Sequence, residues 1–258
     1  MTRILSGTVL IGIAVVVVWF ALPWVFLAVA ELLLVLACVE YARLARASGL
    51  DVPAVASTVA AATTLLGMSS ERSVVLASAL MISFLGPVLL TLANWRGEAD
   101  AVARAAAAVF PALYLGIPIG AMVSIRTRGP EVLFLMMLTV FVSDTGQYYT
   151  GRLFGRMPLA PTISPKKTAE GATGGFVCGA LVMAIVGHWW LPGFAVAFRA
   201  LLGVAIVALG IAGDLFESML KRSAGVKDSS SLIPGHGGVL DRIDALLFAA
   251  PVYYVVVS

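Results

Sequence analysis

Long apolar runs follow one another along almost the whole chain, and they restrict its fold more than any other feature. We predict nine spans, at 5–21, 23–39, 52–68, 73–93, 105–123, 131–150, 173–190, 197–219 and 242–257. Apolar runs of about 18 to 25 residues can cross a hydrocarbon layer of about 30 Å as helices, whereas the alternating pattern of a membrane barrel is absent. With 60% hydrophobic and 12% charged residues, the chain is predicted to be an all-α, polytopic transmembrane bundle of about nine membrane helices.

The organisation predicted from the sequence is a single integral membrane domain, 1–258. No internal repeat with a period of about 20 to 50 residues divides it. Residues 1–130 are expected to form N-terminal and middle spans that act as a scaffold, in which small residues allow homodimer contacts. Residues 131–258 are expected to hold the catalytic spans and their cytoplasmic loops. Cys38 and Cys178 lie in separate apolar runs and are interpreted as packing residues.

The basic residues predict an orientation. With the N-terminus in the cytoplasm, thirteen of the 17 Lys and Arg residues lie on the cytoplasmic side, all except Arg72, Arg126, Arg128 and Arg199. Two polar segments, 151–172 and 220–241, then share the cytoplasmic face. The sequence therefore predicts a multi-pass protein of a cell membrane, expected to be the bacterial cytoplasmic membrane.

Acidic residues near the ends of the predicted membrane helices interrupt the apolar pattern. A carboxylate there normally faces a partner, a metal or water. In "SDTGQYYTGRLFG", 143–155, one helical stripe holds Asp144, Gln147, Tyr148 and Gly151, so the carboxylate, amide and phenol are predicted to face one interior groove. A packed polar seam between helices is the alternative.

A second polar stripe lies in "GDLFESMLKRSAGVKD", residues 213–228. Asp214, Glu217, Ser218 and Lys221 are spaced to share one helix face. An intrahelical ion pair between Glu217 and Lys221 is the simplest explanation of those two, but it leaves Asp214 unexplained.

Two loops add glycines and lysines to the same predicted face. "LIPGHGGVLDRID", 232–244, reads as a loop that enters a helix whose first turn carries Asp241 and Asp244. The acids suit a helix N-terminus, and glycines there expose backbone N–H groups to an anion. "APTISPKKTAEG", 160–171, pairs lysines with hydroxyls, which suits phosphate but is also typical of cytoplasmic loops.

Together these residue types indicate phosphate chemistry. The carboxylates of Asp144, Asp214 and Asp241 are hard oxygen ligands that suit Mg²⁺, and the sequence has no His/Cys cluster for zinc or copper. Magnesium with lysines and glycine-rich backbone is typical of phosphoryl or nucleotidyl transfer.

The same segments resemble a known family. "SMLKRSAGVKDSSSLIPGHGGVLDRID", 218–244, is similar to the signature of the phosphatidate cytidylyltransferase (CDP-diacylglycerol synthase) family. "SDTGQYYTGRLFG" and "SPKKTAEG" resemble its two upstream motifs, in the same order. The resemblance extends from about residue 136 to the end, and only "EYARL" at 40–44 suggests it earlier. Ser143, Gln147, Tyr148 and Ala169 depart from the family pattern, and the charged positions do not.

The resemblance implies an Mg²⁺-dependent nucleotidyltransferase that converts CTP and phosphatidate into CDP-diacylglycerol and pyrophosphate, with its active site facing the cytoplasm. It implies catalytic roles for Asp144, Asp214, Lys221 and Asp241, and metal binding by the three aspartates. Further binding residues are Ser164, Lys166, Lys167, Ser218, Arg222, Lys227, Asp228, Gly235, His236, Gly237, Gly238 and Arg242. We expect one or two divalent ions, with a companion monovalent cation left open. Membrane lipids are expected partners, and nucleic acid is not.

Two other classes stay open at this stage. One is another CTP-dependent membrane lipid enzyme, such as a polyprenol or phytol kinase or an archaeal lipid cytidylyltransferase, and a kinase would release CDP instead of pyrophosphate. The other is a transporter, which predicts acids near the middle of the bilayer and inverted repeats.

Overall fold

The computed structural model describes residues 2–97, 99–230, 232 and 237–258, and most of this part is helical. The helices are α1 (Thr2–Phe20), α2 (Pro23–Ala47), α3 (Ala54–Ser69), α4 (Ser73–Asn94), α5 (Ala101–Pro111), α6 (Ile117–Arg128), α7 (Pro130–Phe154), α8 (Ala169–Ile185), α9 (Gly187–Trp190), α10 (Val196–Ser223) and α11 (Leu240–Val257). A π-helical turn, Ala112–Gly116, joins α5 to α6. Strands β1 (Pro158–Ala160) and β2 (Ser164–Thr168) form an antiparallel hairpin.

A helical segment lies over each of the nine predicted spans, and the fifth span runs through α5, the π turn and α6. Among the described residues, four segments are long and apolar enough to cross a membrane: Pro23–Ala47, Ser73–Asn94, Ala101–Arg128 and Val196–Ser223. Gly7–Phe20, Ala54–Ser69 and Ala169–Ile185 are shorter apolar helices. The two remaining spans are α7 and α11, which carry acidic residues. The polytopic helical membrane fold is confirmed.

Several helices continue beyond the apolar runs that predicted them. We expected α2 to end at residue 39 and α10 at residue 219, but they end at Ala47 and Ser223. Hydropathy locates the stretch that tolerates lipid, whereas backbone hydrogen bonding can continue into the polar boundary. The hairpin was not predicted either, because strands of three and five residues are too short for a periodicity signal.

Arginines mark the end of the bundle opposite to the two polar segments. Arg126 donates hydrogen bonds to the carbonyls of Val18 and Ala21 at the end of α1. Arg128 Nη1 donates to the Val257 carbonyl at 3.2 Å, and Arg199 Nη1 donates to the Gly187 carbonyl at 2.9 Å. This placement agrees with the predicted grouping of Arg126, Arg128 and Arg199 on one side.

Helix α8 packs closely against α7 and α10 through glycines. A Cβ added at Gly175 would lie 2.5 Å from Cγ of Gln147 on α7. A Cβ added at Gly203 on α10 would lie 2.5 Å from the Gly179 carbonyl oxygen of α8. Small residues permit such backbone approach between membrane helices. The approach holds the hairpin, which precedes α8, beside the C-terminal end of α10.

An aromatic cluster packs α2, α5, the π turn, α10 and α11 together. Its members are Tyr41, Phe110, Tyr114, Phe216 and Phe248, with neighbouring ring centroids 5.1 to 6.4 Å apart. The Tyr41 hydroxyl also donates to the Ala107 carbonyl at 3.0 Å. Aromatic pairs at these separations add to the stabilisation from burial alone. The cluster ties the N-terminal half of the chain to α10, which carries Asp214 and Glu217, and to α11, which carries Asp241 and Asp244.

Candidate active site

Charged side chains from four elements meet at the end of the bundle opposite to Arg126, Arg128 and Arg199. We call this group the charged cluster. Its members are Asp144 of α7, Lys167 of β2, Asp214, Glu217 and Lys221 of α10, and Asp241 and Asp244 of α11. The two polar segments, 151–172 and 220–241, therefore share one face of the molecule, as the sequence predicted.

Lys221 of α10 contacts two acids, Glu217 of its own helix and Asp241 of α11, and the second contact joins the two helices. Its Nζ lies 2.5 Å from Asp241 Oδ1 and forms an ion pair with Glu217. The Glu217 side chain is fully buried, and those of Lys221 and Asp241 are 11% and 7% exposed. The predicted Glu217–Lys221 ion pair is confirmed, but it is only part of the arrangement. One ammonium group is thus shared between two carboxylates in a place with little access to water.

Lys167 joins the hairpin to α10. Its ammonium forms an ion pair with Asp214, and Ser218 Oγ lies 3.4 Å from Asp214 Oδ1. Thr168 Oγ1 accepts a hydrogen bond from Gly171 N at 3.1 Å, so Thr168 caps α8 and sets the point where β2 ends. The cap and the hairpin turn Lys167 toward α10. The partner of Asp214, which spacing within α10 left unexplained, thus comes from another element.

Asp144 and Asp244 add negative charge next to Asp214. Gln147 Nε2 donates to Asp144 Oδ1 at 3.0 Å. Asp144 lies close enough to Lys167 and Asp214 to interact with them electrostatically. Asp244 is likewise close enough to interact with Asp214 and Asp144. Three carboxylates from three helices therefore gather around one region. Asp244 was predicted only as a residue of the first turn of a helix, and three-residue spacing from Asp241 was the available signal.

The predicted polar stripe on α7 is wrong for Tyr148. Its side chain is 60% exposed, and its ring packs edge-on against Tyr149. Arg152 Nη1 lies 3.4 Å from its hydroxyl. Residues three and four apart are both neighbours on a helix, so spacing alone does not determine the direction in which a long side chain points. Asp144 and Gln147 do share a face, as expected.

Ser229 and Gly238, which precede α11, both contact Asp241. Asp241 Oδ2 accepts hydrogen bonds from Ser229 N at 3.0 Å, Ser229 Oγ at 2.8 Å and Gly238 N at 2.7 Å. Gly237 has a φ of +78°, and a Cβ there would lie 2.5 Å from Asp241 Oδ2. Glycine is required by this left-handed backbone and by this approach. The Gly238 N–H, predicted to face an anion, donates to the protein's own carboxylate.

Glu40 of α2 is the contributor that sequence reasoning missed. It is 2% exposed and accepts hydrogen bonds from the loop that precedes α11. The available signal was an acidic residue within a largely apolar helix, in the "EYARL" stretch. Its partners are about 190 to 200 residues away in the chain, so no local pattern could identify them.

The other predicted binding residues lie around the charged cluster rather than within it. Lys166, Arg222, Lys227, Asp228 and Arg242 are exposed, and Ser164 is half-buried at the start of β2. Arg222 Nη1 donates to the Val226 carbonyl at 3.1 Å. Gly235 and His236 lie outside the described residues.

The donor chemistry of the charged cluster fits Mg²⁺. Asp144, Asp214 and Asp244 offer carboxylate oxygens, and their mutual repulsion favours a cation among them. Within the part of the chain that the structure describes, no three His, Cys, Asp or Glu residues are already placed close enough to hold a metal. Lys167 and Lys221 instead supply the positive charge beside Asp214 and Asp241.

Comparison with known proteins relates this arrangement to one family. The sequence matches the model of the cytidylyltransferase family over residues 1–258. Phosphatidate cytidylyltransferase of Aquifex aeolicus (strain VF5) is 36% identical over 181 residues, which are 70% of this chain and 66% of that protein.

Two further relatives carry the same name. The protein of Mycobacterium tuberculosis (strain ATCC 25618 / H37Rv) is 42% identical over 154 residues, 59% of this chain and 47% of that protein. The protein of Synechocystis sp. (strain ATCC 27184 / PCC 6803 / Kazusa) is 48% identical over 132 residues, 50% and 44% respectively. The matched part of this chain therefore spans about half to two thirds of the length of these relatives.

Proposed function

Because the chain belongs to the cytidylyltransferase family, we propose that it transfers CMP from CTP to phosphatidate and releases pyrophosphate. The observation that carries this proposal is the charged cluster, in which α7, β2, α10 and α11 bring acids and lysines together at the end of an apolar bundle. This position suits one substrate with a lipid tail and another that is soluble in water.

In this reaction a phosphate oxygen of phosphatidate forms a bond to the α-phosphorus of CTP. The bond from that phosphorus to the β-phosphate oxygen breaks, and pyrophosphate leaves with the electron pair. The attacking phosphate is already anionic near neutral pH, so no dedicated general base is required. Catalysis then depends on positioning the reactants and neutralising their charge.

The residues of the charged cluster suggest a division of roles. Asp144, Asp214 and Asp241, with Asp244 added from the structure, would hold Mg²⁺, which when bound neutralises phosphate charge. Lys221 is buried between two carboxylates, which supports a role in holding Asp241. Lys167 is more open, with 21% of its side chain exposed, and with the exposed Lys166, Arg222 and Lys227 it is suited to phosphate contacts.

We further propose that this face lies in the cytoplasm, where CTP is available. The excess of basic residues on this side of the predicted topology supports that orientation. The role of residues 1–130 as a scaffold remains a prediction. A homodimer and a companion monovalent cation also remain predictions.

The proposal is tested by incubating the purified protein in detergent with labelled CTP and phosphatidate, with and without Mg²⁺. We expect CDP-diacylglycerol and pyrophosphate to form in equal amounts, and only with Mg²⁺.

Asp214→Asn and Asp241→Asn should each lower turnover by about 100-fold or more. The matched control is Asp51→Asn, since Asp51 is 73% exposed and pairs only with a surface arginine, Arg46, in the described salt bridges. Release of CDP would favour a lipid kinase, and near-normal turnover of either site variant would reject its proposed metal role.

A further inference from the structure

We propose that Glu40 is a positioning residue: from α2, it holds the start of α11 and Ser229 so that Asp241 is fixed in the active site. This inference rests on the proposed function for its effect on turnover, whereas its structural part can be tested separately. It assigns a role in the site to the N-terminal half of the chain, which the sequence predicted only as a scaffold.

Among the described residues, four groups lie within hydrogen-bond distance of the Glu40 carboxylate, and they belong to Ser229, Ser230, Val239 and Leu240. Oε1 accepts from Ser230 Oγ at 2.7 Å and from Val239 N at 3.0 Å. Oε2 accepts from Leu240 N at 2.9 Å and lies 3.0 Å from Ser229 Oγ, whose one proton is shared between Glu40 and Asp241. Both oxygens therefore contact one side of the loop and the first backbone N–H groups of α11.

These contacts satisfy the oxygens of a buried carboxylate. Glu40 is 2% exposed, and among the described residues no basic side chain forms a salt bridge with it. The N-terminus of α11 supplies partial positive charge and two of the N–H groups that a helix leaves unpaired. Glu40 thus caps α11 from another helix, and Val239, the residue at the N-cap position, makes no side-chain cap of its own.

Ser229 connects Glu40 to Asp241. The Ser229 hydroxyl lies 3.0 Å from Glu40 Oε2 and 2.8 Å from Asp241 Oδ2, and the Ser229 N–H also donates to Asp241. Gly238 lies over the same place, since a Cβ there would overlap Ser229 Oγ and both Glu40 carboxylate oxygens. Loss of the Glu40 charge therefore releases the loop and the helix start on which the position of Asp241 depends.

The test compares Glu40→Gln with Glu31→Gln in the full-length protein in detergent. Glu31 lies on the same helix and is half-buried, and one of its carboxylate oxygens has no hydrogen-bond partner among the described residues. The amide side of a glutamine donates instead of accepting, so Glu40→Gln cannot accept at both positions. We expect the amides of Val239 and Leu240 to exchange hydrogen about tenfold faster in Glu40→Gln and to be unaffected in Glu31→Gln.

Steady-state kinetics supply the second measurement. Displacement of Asp241 should raise the KM for CTP about fivefold or more and lower kcat about tenfold. A general loss of folded protein would lower only the apparent kcat and leave KM unchanged. Exchange and KM values in Glu40→Gln that match those of Glu31→Gln would overturn the inference.

A second variant and a separate readout keep the inference testable. If Glu40→Gln does not yield folded protein, Ser230→Ala removes one hydrogen bond and keeps the charge, and we expect about twofold faster exchange at Val239; unchanged exchange would reject the inference. If the wild-type protein forms no CDP-diacylglycerol, the proposed function fails, but the exchange experiment still decides the role of Glu40.

Discussion

At the scale of single residues, Lys221 has the most demanding environment in the charged cluster. Its ammonium is the positive charge that faces both the fully buried Glu217 and the 7% exposed Asp241. Removing one partner of a buried ionic group leaves an uncompensated charge, which costs more than the pair contributes. The effect of a substitution at Lys221 should therefore be much larger than that at an exposed lysine.

We predict that Lys221→Met destabilises the protein by about 3 kcal/mol or more, because two acids lose their counter-charge. The measurement is thermal unfolding in detergent, where a fall of roughly 6 °C or more is expected. Lys227→Met, at an exposed position, is the control for stability and should leave the midpoint unchanged. The double variant Glu217→Gln/Lys221→Met should recover part of the loss. Equal midpoints for the two lysine variants would contradict the buried ionic group.

At the scale of elements, the contact between α8 and α10 determines whether Lys167 reaches Asp214. Gly203 allows the two backbones to touch, because its missing Cβ leaves room for the Gly179 carbonyl. A backbone atom cannot rotate away as the tip of a side chain can. An added methyl group must therefore separate the helices, and the hairpin moves with α8.

We predict that Gly203→Ala lowers stability by about 1 to 3 kcal/mol, the typical cost of overpacking, and also reduces turnover. The matched control is Gly210→Ala on the same helix, where the nearest atom to an added Cβ is Ala245 Cβ at an ordinary 3.5 Å. Alanine favours helix more than glycine does, so Gly210→Ala should be neutral or slightly stabilising. Thermal unfolding of both variants is the measurement, and a neutral Gly203→Ala would show that the helices are not in backbone contact.

At the scale of the whole molecule, the two ends of the bundle differ in chemistry. One end carries the charged cluster. At the other end, Arg126, Arg128 and Arg199 donate hydrogen bonds to backbone carbonyls. From this arrangement we expect the loop between β1 and β2 and the loop between α9 and α10 to lie on opposite sides of the membrane.

This topology predicts the labelling of single cysteines by a membrane-impermeant maleimide, after replacement of Cys38 and Cys178. Thr162→Cys, exposed between the strands, should react only from the cytoplasmic side. Gly193→Cys, exposed before α10, should react only from the opposite side. Right-side-out and inverted vesicles provide the comparison. Labelling of both from one side would contradict the fold, and exchange of the two sides would contradict only the orientation.

The sequence alone determined the class of fold and predicted the chemistry of the site. Hydropathy located helical segments at the nine predicted positions because lipid requires continuous apolar helices. Spacing within one helix identified the Glu217–Lys221 pair because residues four apart are neighbours. The motifs around Asp214 and Asp241 indicated phosphate chemistry, because a carboxylate at a membrane helix normally faces a partner, a metal or water. Lysines and glycines in the same motifs suit phosphate groups.

Only the tertiary structure decided which charges meet. Lys167 pairs with Asp214, Lys221 reaches Asp241, and Glu40 caps a helix about 200 residues later in the chain. Tyr148 turns outward although its spacing suggested otherwise. Periodicity describes neighbours within one element, whereas contacts between elements depend on how closely helices approach and rotate against each other. Here that approach is set by glycines in α8 and α10, and Ser229 lies between the carboxylates of Glu40 and Asp241.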